Sequence, residues 1–274
     1  MGNTKGWWDN FWVKRTSPST VGSGDYPYSD LMGKVACEYW HDKFKQLAPG
    51  KRMLECGCGS ARVSAYMAQH GYQCTLLDYS GAALAQAKAN FTRMSLDAGF
   101  IIGNLNQLCF KNGQFDIVFS GGVLEFFENA QQPINEMVSV LKPGGIFAAH
   151  LVPRKFSIQT IADIERTIAC SIANLCRCRF KNVFKVVRNI PDDYEVSGLP
   201  LEKYIEMCKK AGLSSVTGFV TTPFPVLALP GAFQKAYVSL MRKLMPFWRR
   251  FNESNNFFSK HLGITYTIYG IKDN

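Results

Sequence analysis

No window of this 274-residue chain holds the roughly 18 uninterrupted apolar residues that a membrane-spanning helix requires. The first residues, Met1-Gly2-Asn3-Thr4-Lys5-Gly6-Trp7-Trp8, lack the apolar core of a secretory signal. They also miss the myristoylation pattern, because Gly6 stands where a serine or threonine is needed. The expectation is therefore a cytoplasmic protein. The nine cysteines are scattered, and no Cys-x-x-Cys or histidine pair completes Cys170, Cys176 and Cys178 into a tetrahedral zinc set. An odd count, with Cys56 and Cys58 inside one tight turn, favours reduced thiols over disulfides. No metal is expected. Internal repeats and low-complexity segments are also missing, and 47% hydrophobic residues over this length suffice for one large core.

What the chain does have is positive charge, unevenly placed. The net charge is +10; residues 51–152 are neutral, whereas residues 153–200 carry +3 and residues 222–262 carry +5. Eight of the ten excess charges thus lie in two segments. That distribution points to an acidic substrate, an anionic lipid surface or nucleic acid as the partner.

The most informative stretch is Met53-Leu54-Glu55-Cys56-Gly57-Cys58-Gly59-Ser60-Ala61-Arg62, a strand running into a glycine-rich turn and then a helix over 60–70. Two glycines one residue apart permit a sharp turn and let a ligand lie against the backbone. The helix that follows points its amides and positive dipole end at that ligand. A second apolar run, Cys74-Thr75-Leu76-Leu77, closes on Asp78, where a carboxylate can accept both hydroxyls of a ribose. The pattern predicts a nucleoside-cofactor site. A dinucleotide fingerprint would carry a third glycine at position 62, which is Arg62 here.

Two further motifs follow in order: Phe115-Asp116-Ile117-Val118-Phe119-Ser120, an apolar strand, and Leu141-Lys142-Pro143-Gly144-Gly145, which reads as a helix end before another strand. With the glycine turn and Leu77-Asp78, they resemble the class I S-adenosylmethionine-dependent methyltransferases, of the broad group that includes the ubiquinone and menaquinone methyltransferases. The resemblance covers residues 50–152. It implies a Rossmann-like α/β fold, with a seven-stranded, mostly parallel sheet in the order 3-2-1-4-5-7-6 and the last strand antiparallel. It further implies that the methionine part of S-adenosylmethionine lies against Gly57, Cys58 and Gly59, fixed by Glu55, with S-adenosylhomocysteine as the product. Asp78 would take the ribose, Tyr79 the adenine face, and Asn104 with Leu105 the adenine edge. The family often has an acid where Asn104 stands, but an amide still offers an acceptor and a donor. Ser120 and Gly121 would border the methionine end.

Periodicity and breaker residues give helix 30–47, strand 52–56, helix 60–70, strand 73–77, helix 80–97 and strand 99–102. Strand 115–119, helix 130–141, strand 145–151, helix 201–211 and strands 213–221 and 264–271 follow. The whole chain, 1–274, reads as one domain with an N-terminal cap, 1–49, and insertions at 153–200 and 222–262. Both insertions follow strands, so both can cover the crevice at the strands' carboxyl ends. Within the second, Phe233, Tyr237, Leu240, Met241, Leu244 and Met245 share one helical side, with Lys235, Arg242 and Lys243 opposite. Pro246 is expected to end that helix. Residues 232–251 thus suit contact with the inner membrane surface, a lid over a lipophilic acceptor, or plain packing on the core. The aromatic segment Trp7-Trp8-Asp9-Asn10-Phe11-Trp12 is a candidate cover for the cofactor.

For catalysis, Glu125 after the fourth strand and His150 near the end of the fifth are the candidate bases. Some quinone O-methyltransferases hold a metal on Glu, Glu and His in this region, but Gly122 and Phe126 occupy two of those places here. Arg154, Tyr194 and Tyr28 are candidates for binding an acidic or phenolic acceptor. The favoured reading is methyl transfer to a small lipophilic or aromatic molecule. Two rivals stay open. One is an RNA or DNA methyltransferase using the basic insertions, with Arg177-Cys178-Arg179-Phe180-Lys181 interleaving cations and an aromatic. It lacks the Asn-Pro-Pro-Tyr type of amide-capture motif. The other is a non-catalytic cofactor-binding or membrane-docking protein.

Overall fold

The structure is a computed structural model that describes residues 4–14, 27–176, 196–221, 231–254 and 256–273, with Pro225, Leu227 and Leu229. Helices α1 (Lys5–Lys14) and α2 (Pro27–Leu47) precede a strand-helix alternation. This runs β1 (Arg52–Cys56), α3 (Arg62–Gln69), β2 (Gln73–Asp78), α4 (Gly81–Arg93), β3 (Gly99–Ile102) and β4 (Phe115–Gly121). After a single 3-10 turn at Leu124–Phe126 come α5 (Gln131–Ser139), β5 (Leu141–Leu151), α6 (Ile158–Cys176) and α7 (Leu201–Lys210). The chain closes with β6 (Leu213–Thr221), α8 (Gly231–Glu253), α9 (Phe257–Leu262) and β7 (Thr265–Lys272).

The seven strands form one sheet in the order β3-β2-β1-β4-β5-β7-β6. β7 runs antiparallel to both β5 and β6, and the other pairings are parallel. Expected order and observed order agree.

Alternate side chains of a strand face opposite sides of a sheet, and the central strands use this to bury two layers. Leu54, Val118 and Phe147 face a layer built with Ile134, Met137 and Tyr204 of α5 and α7. Their neighbours Met53, Ile117 and Ile146 face the other side, against Trp40 and Phe44 of α2 and Met67 of α3. With both faces covered, near-continuous apolar runs such as Phe115–Phe119 are what a parallel sheet needs. Trp40 and Phe44 are almost fully buried, so α2 contributes to the core.

Four local expectations are corrected. The helix after the glycine turn starts at Arg62, not at residue 60, because Ala61 holds a left-handed conformation (φ 57°) that no helix can include. β5 starts at Leu141, ahead of the Lys-Pro-Gly-Gly motif. The motif forms an irregularity in the ladder, between the Phe115–Leu141 and Ile117–Ile146 pairs. Lys142 Nζ donates to Asp116 Oδ1 at 2.7 Å and fixes that excursion. Pro246 lies inside α8. It removes one helical hydrogen bond, but Met241, Met245 and Trp248, on both sides of it, pack with Leu31 and hold the helix together. Finally, residues 158–176, within the insertion to which the sequence assigns no element, form the 19-residue helix α6.

Candidate active site

β1 is flanked by β2 on one side and β4 on the other, so the crevice at the carboxyl ends of these strands is the switch point of the sheet. Gly57 and Gly59 both take positive φ, 69° and 52°, and carry the chain sharply out of β1. The turn is clasped from two sides. Gly57 and Cys58 donate their backbone N–H groups to the Leu77 carbonyl at 2.7 and 3.1 Å. The Gly59 N–H donates to Asp78 Oδ2 at 2.8 Å, while Asp78 Oδ1 accepts from the Ser80 N–H at 2.9 Å. The two Asp78 oxygens, with about four lone-pair sites between them, keep acceptor capacity beyond these backbone bonds. Burial pushes the Asp78 carboxyl above its ordinary range.

A cavity of about 570 Å³ opens on this turn, a volume within the usual range for small-molecule sites. Its wall includes Glu55, Gly57, Cys58, Gly59, Asp78 and Tyr79. Asn104, Leu105, Gly121 and His150 line it too, so ten of the sequence-derived candidates share one space. Ser120 is not among the lining residues; its hydroxyl donates to the Cys56 carbonyl at 3.1 Å and ties β4 to β1. Glu55 accepts the Ser64 N–H at 3.1 Å on Oε2, and burial raises its pKa to about 7. Asn104 Oδ1 accepts the Asn106 N–H at 3.0 Å, which fixes the loop after β3.

A smaller pocket of about 310 Å³ adjoins the first, because Trp8, Trp12, Gly122 and Phe126 line both. Phe11, Glu125, Val152 and Arg154 complete most of its wall. Glu125 is almost fully buried. Its Oε1 accepts the Val152 N–H at 2.9 Å, Oε2 has no hydrogen-bond partner among the described residues, and burial raises its pKa to about 7. His150, on the first cavity, shows the reverse effect of burial, which lowers its pKa to about 4, so its ring is neutral near pH 7. Its Nδ1 lies 3.4 Å from the Thr267 hydroxyl. Arg154 and Glu125 come together from the ends of β5 and β4. Tyr194 lies outside the described residues, as does the Arg177–Lys181 run; Tyr28 sits in the first turn of α2.

Sequence reasoning missed one anchor. Asp9 of α1 accepts from the Ser80 hydroxyl at 2.6 Å and from the Ala82 N–H at 3.4 Å, at the N-terminus of α4. Gln86 adds a bond from Nε2 to the Trp12 carbonyl at 2.6 Å. Together they hold α1 over the glycine turn. Trp8 packs edge-on against Phe126 at 4.9 Å between ring centroids. The aromatic run hinted at a cover, but nothing local in the sequence marked Asp9 as its latch.

A Rossmann-like sheet with a glycine turn, a ribose-competent carboxylate and a roofed cavity defines a nucleoside-cofactor fold. Residues 54–149 match the family described as a methyltransferase domain. An uncharacterized methyltransferase of Synechocystis sp. is 36% identical over 104 residues, covering 37% of this chain and 47% of that protein. A demethylmenaquinone methyltransferase of Beutenbergia cavernae is 32% identical over 117 residues, 43% of this chain and 45% of its own length. The chain spans about half the length of these curated relatives. Among solved structures, phosphoethanolamine N-methyltransferase 2 of Haemonchus contortus, in complex with S-adenosyl-L-methionine, superposes with a TM-score of 0.58. That likeness covers 97% of this chain and 60% of the other at 16% identity, and it speaks to the fold. Residues 54–149 are thus a class I S-adenosylmethionine-dependent methyltransferase domain. The donor set fits the cofactor: a carboxylate with acceptor capacity at the end of β2, an open glycine turn, and a buried carboxylate at Glu55. Among the described residues no group of three metal-ligating side chains converges.

Proposed function

We propose that this chain transfers the methyl group of S-adenosylmethionine to a small lipophilic or aromatic acceptor seated in the smaller pocket. The observation that carries the reading is the shared wall: Trp8, Trp12, Gly122 and Phe126 line both cavities. In this reading Glu55 takes the methionine ammonium, Gly57-Cys58-Gly59 the methionine chain, and Asp78 the ribose hydroxyls. Tyr79 packs beside the adenine, with Asn104 and Leu105 at its edge and Gly121 at the methionine end.

The bound cofactor supplies an activated methyl group on a sulfonium centre. The protein's part is alignment and the exclusion of water. Trp8, Phe11 and Phe126 give the acceptor pocket apolar, ring-shaped walls. Glu125, with its carboxyl poised near neutrality, accepts the proton that a phenolic or enolic acceptor loses on attack. His150 is the weaker base, because its burial disfavours the protonated ring. Arg154 orients an acceptor oxygen that carries negative charge. The demethylmenaquinone methyltransferase among the relatives supports beginning with quinols.

The test is release of S-adenosylhomocysteine from S-adenosylmethionine across a panel of quinols, phenols and lipids, with tRNA and duplex DNA as controls. Turnover with a reduced quinone or phenol is expected. Turnover confined to nucleic acid, or none at all by a chain that binds the cofactor, would overturn the assignment.

A further inference from the structure

The described residues leave two apolar stripes facing outward, one on each insertion. On α6, Ile161, Ile164, Ile168, Ile172 and Leu175 recur at helical spacing, and each is about half exposed. On the other side of the helix Ala162 is buried. On α8 the wide apolar arc is split. Val238 and Met241 turn inward onto Leu31, whereas Phe233, Leu240, Leu244 and Phe247 stay exposed. A bond from Lys155 Nζ to the Lys260 carbonyl, 3.2 Å, ties the approach to α6 to helix α9. Phe156 beside that lysine, and Phe257 and Phe258 on α9, are all largely exposed.

We propose that the outward sides of α6 and α8, with the exposed phenylalanines that adjoin them in the chain, dock on an anionic phospholipid bilayer. Charge selects the occupant. Residues 222–262 carry Lys235, Arg242, Lys243, Arg249, Arg250 and Lys260 against Glu253 alone. Lys243 and Arg250 follow the exposed stripe of α8 and are themselves exposed. Apolar side chains flanked by cations match the acyl boundary and the headgroups of an anionic surface. A second copy meeting through the same face would oppose like charges. Nucleic acid would answer the cations and leave the isoleucines in water. No described helix is long and apolar enough to cross the bilayer, so contact is in the plane of the interface.

The experiment is flotation of the full chain with vesicles of phosphatidylcholine containing about one third phosphatidylglycerol, against phosphatidylcholine alone. Two variants accompany it: Ile164→Ser/Ile168→Ser/Ile172→Ser on α6 and Lys243→Glu/Arg250→Glu on α8, all at exposed positions outside the two cavities. The chain is expected to float with the anionic vesicles and about tenfold less with neutral ones. Each variant is expected to lose at least about tenfold in vesicle affinity while its melting temperature stays close to that of the parent. Three results would overturn the proposal: no flotation of the parent, flotation untouched by both variants, or a dimer in solution that the isoleucine variant dissociates. The last would assign the face to a second copy.

Discussion

Gly57→Val is expected to abolish S-adenosylhomocysteine binding in a chain that still folds. Gly57 sits at φ 69°, a conformation that costs a residue with a Cβ about 1–2 kcal/mol. Space is the harder limit. A Cβ at this position would stand inside van der Waals contact of the Val123 side chain, which lines the cofactor cavity. Valine adds two methyl groups in that direction. The Gly57 N–H is bound to the Leu77 carbonyl at 2.7 Å, so the turn cannot rotate away without breaking the clasp between β1 and β2. The affected atoms lie at the cavity floor, whereas the sheet pairs of β1 run from Arg52 to Cys56 and end before the substitution. The prediction is a loss of at least about a hundredfold in affinity, equivalent to about 3 kcal/mol. Circular dichroism and calorimetric titration check it together. Binding that survives in a folded Gly57→Val chain would place the cofactor elsewhere.

The turn also shows what sequence can and cannot disclose. Gly57, Gly59 and Asp78 were legible because a sharp exit from a strand, close backbone approach and a carboxylate at the next strand end are local requirements with a fixed spacing. The sheet was legible for a similar reason: apolar runs between glycine and proline breakers have few other uses in an α/β chain. The strand order came with the family resemblance, not from the pattern. α6 escaped because its isoleucines are β-branched and face outward, so its period marked no core and its composition favoured strand. Pro246 misled because packing of Met241, Met245 and Trp248 outweighs one lost hydrogen bond. The presence of Glu125 and Arg154 in the wall of one pocket depends on the ends of two different strands. No local pattern can announce that.

Glu125→Gln is expected to separate stability from activity. The side chain is buried, one oxygen lacks a partner among the described residues, and its pKa is about 7 against an ordinary value of 4.5. A carboxyl whose folded pKa exceeds its unfolded pKa binds a proton on folding between those two values. Its contribution to stability is therefore present at pH 5 and is lost as pH rises toward 7. The difference amounts to about 3 kcal/mol at most for this group. Glutamine keeps the acceptor for the Val152 N–H but never ionises. The variant should melt near the parent's temperature at pH 5 and several degrees above it at pH 8. Glu55 has the same raised pKa from the same cause, so part of the parent's pH dependence will remain. Activity should move the other way. If Glu125 takes the acceptor's proton, kcat falls by about 10²–10⁴ while S-adenosylhomocysteine affinity holds, since Glu125 lines only the smaller pocket. Melting curves at the two pH values and the rate with the best acceptor check both halves. Unchanged kcat would remove Glu125 from the acceptor's proton path. An unchanged pH profile would mean the carboxylate is solvated or paired.

The central claim is that the cavity at the ends of β1, β2 and β4 holds S-adenosylmethionine. Its most direct test is calorimetric titration of the purified chain with S-adenosylhomocysteine, beside Asp78→Ala. The account predicts a single site of micromolar or tighter affinity in the parent and no measurable heat in a folded Asp78→Ala. A folded, ligand-free parent that shows no binding would contradict it.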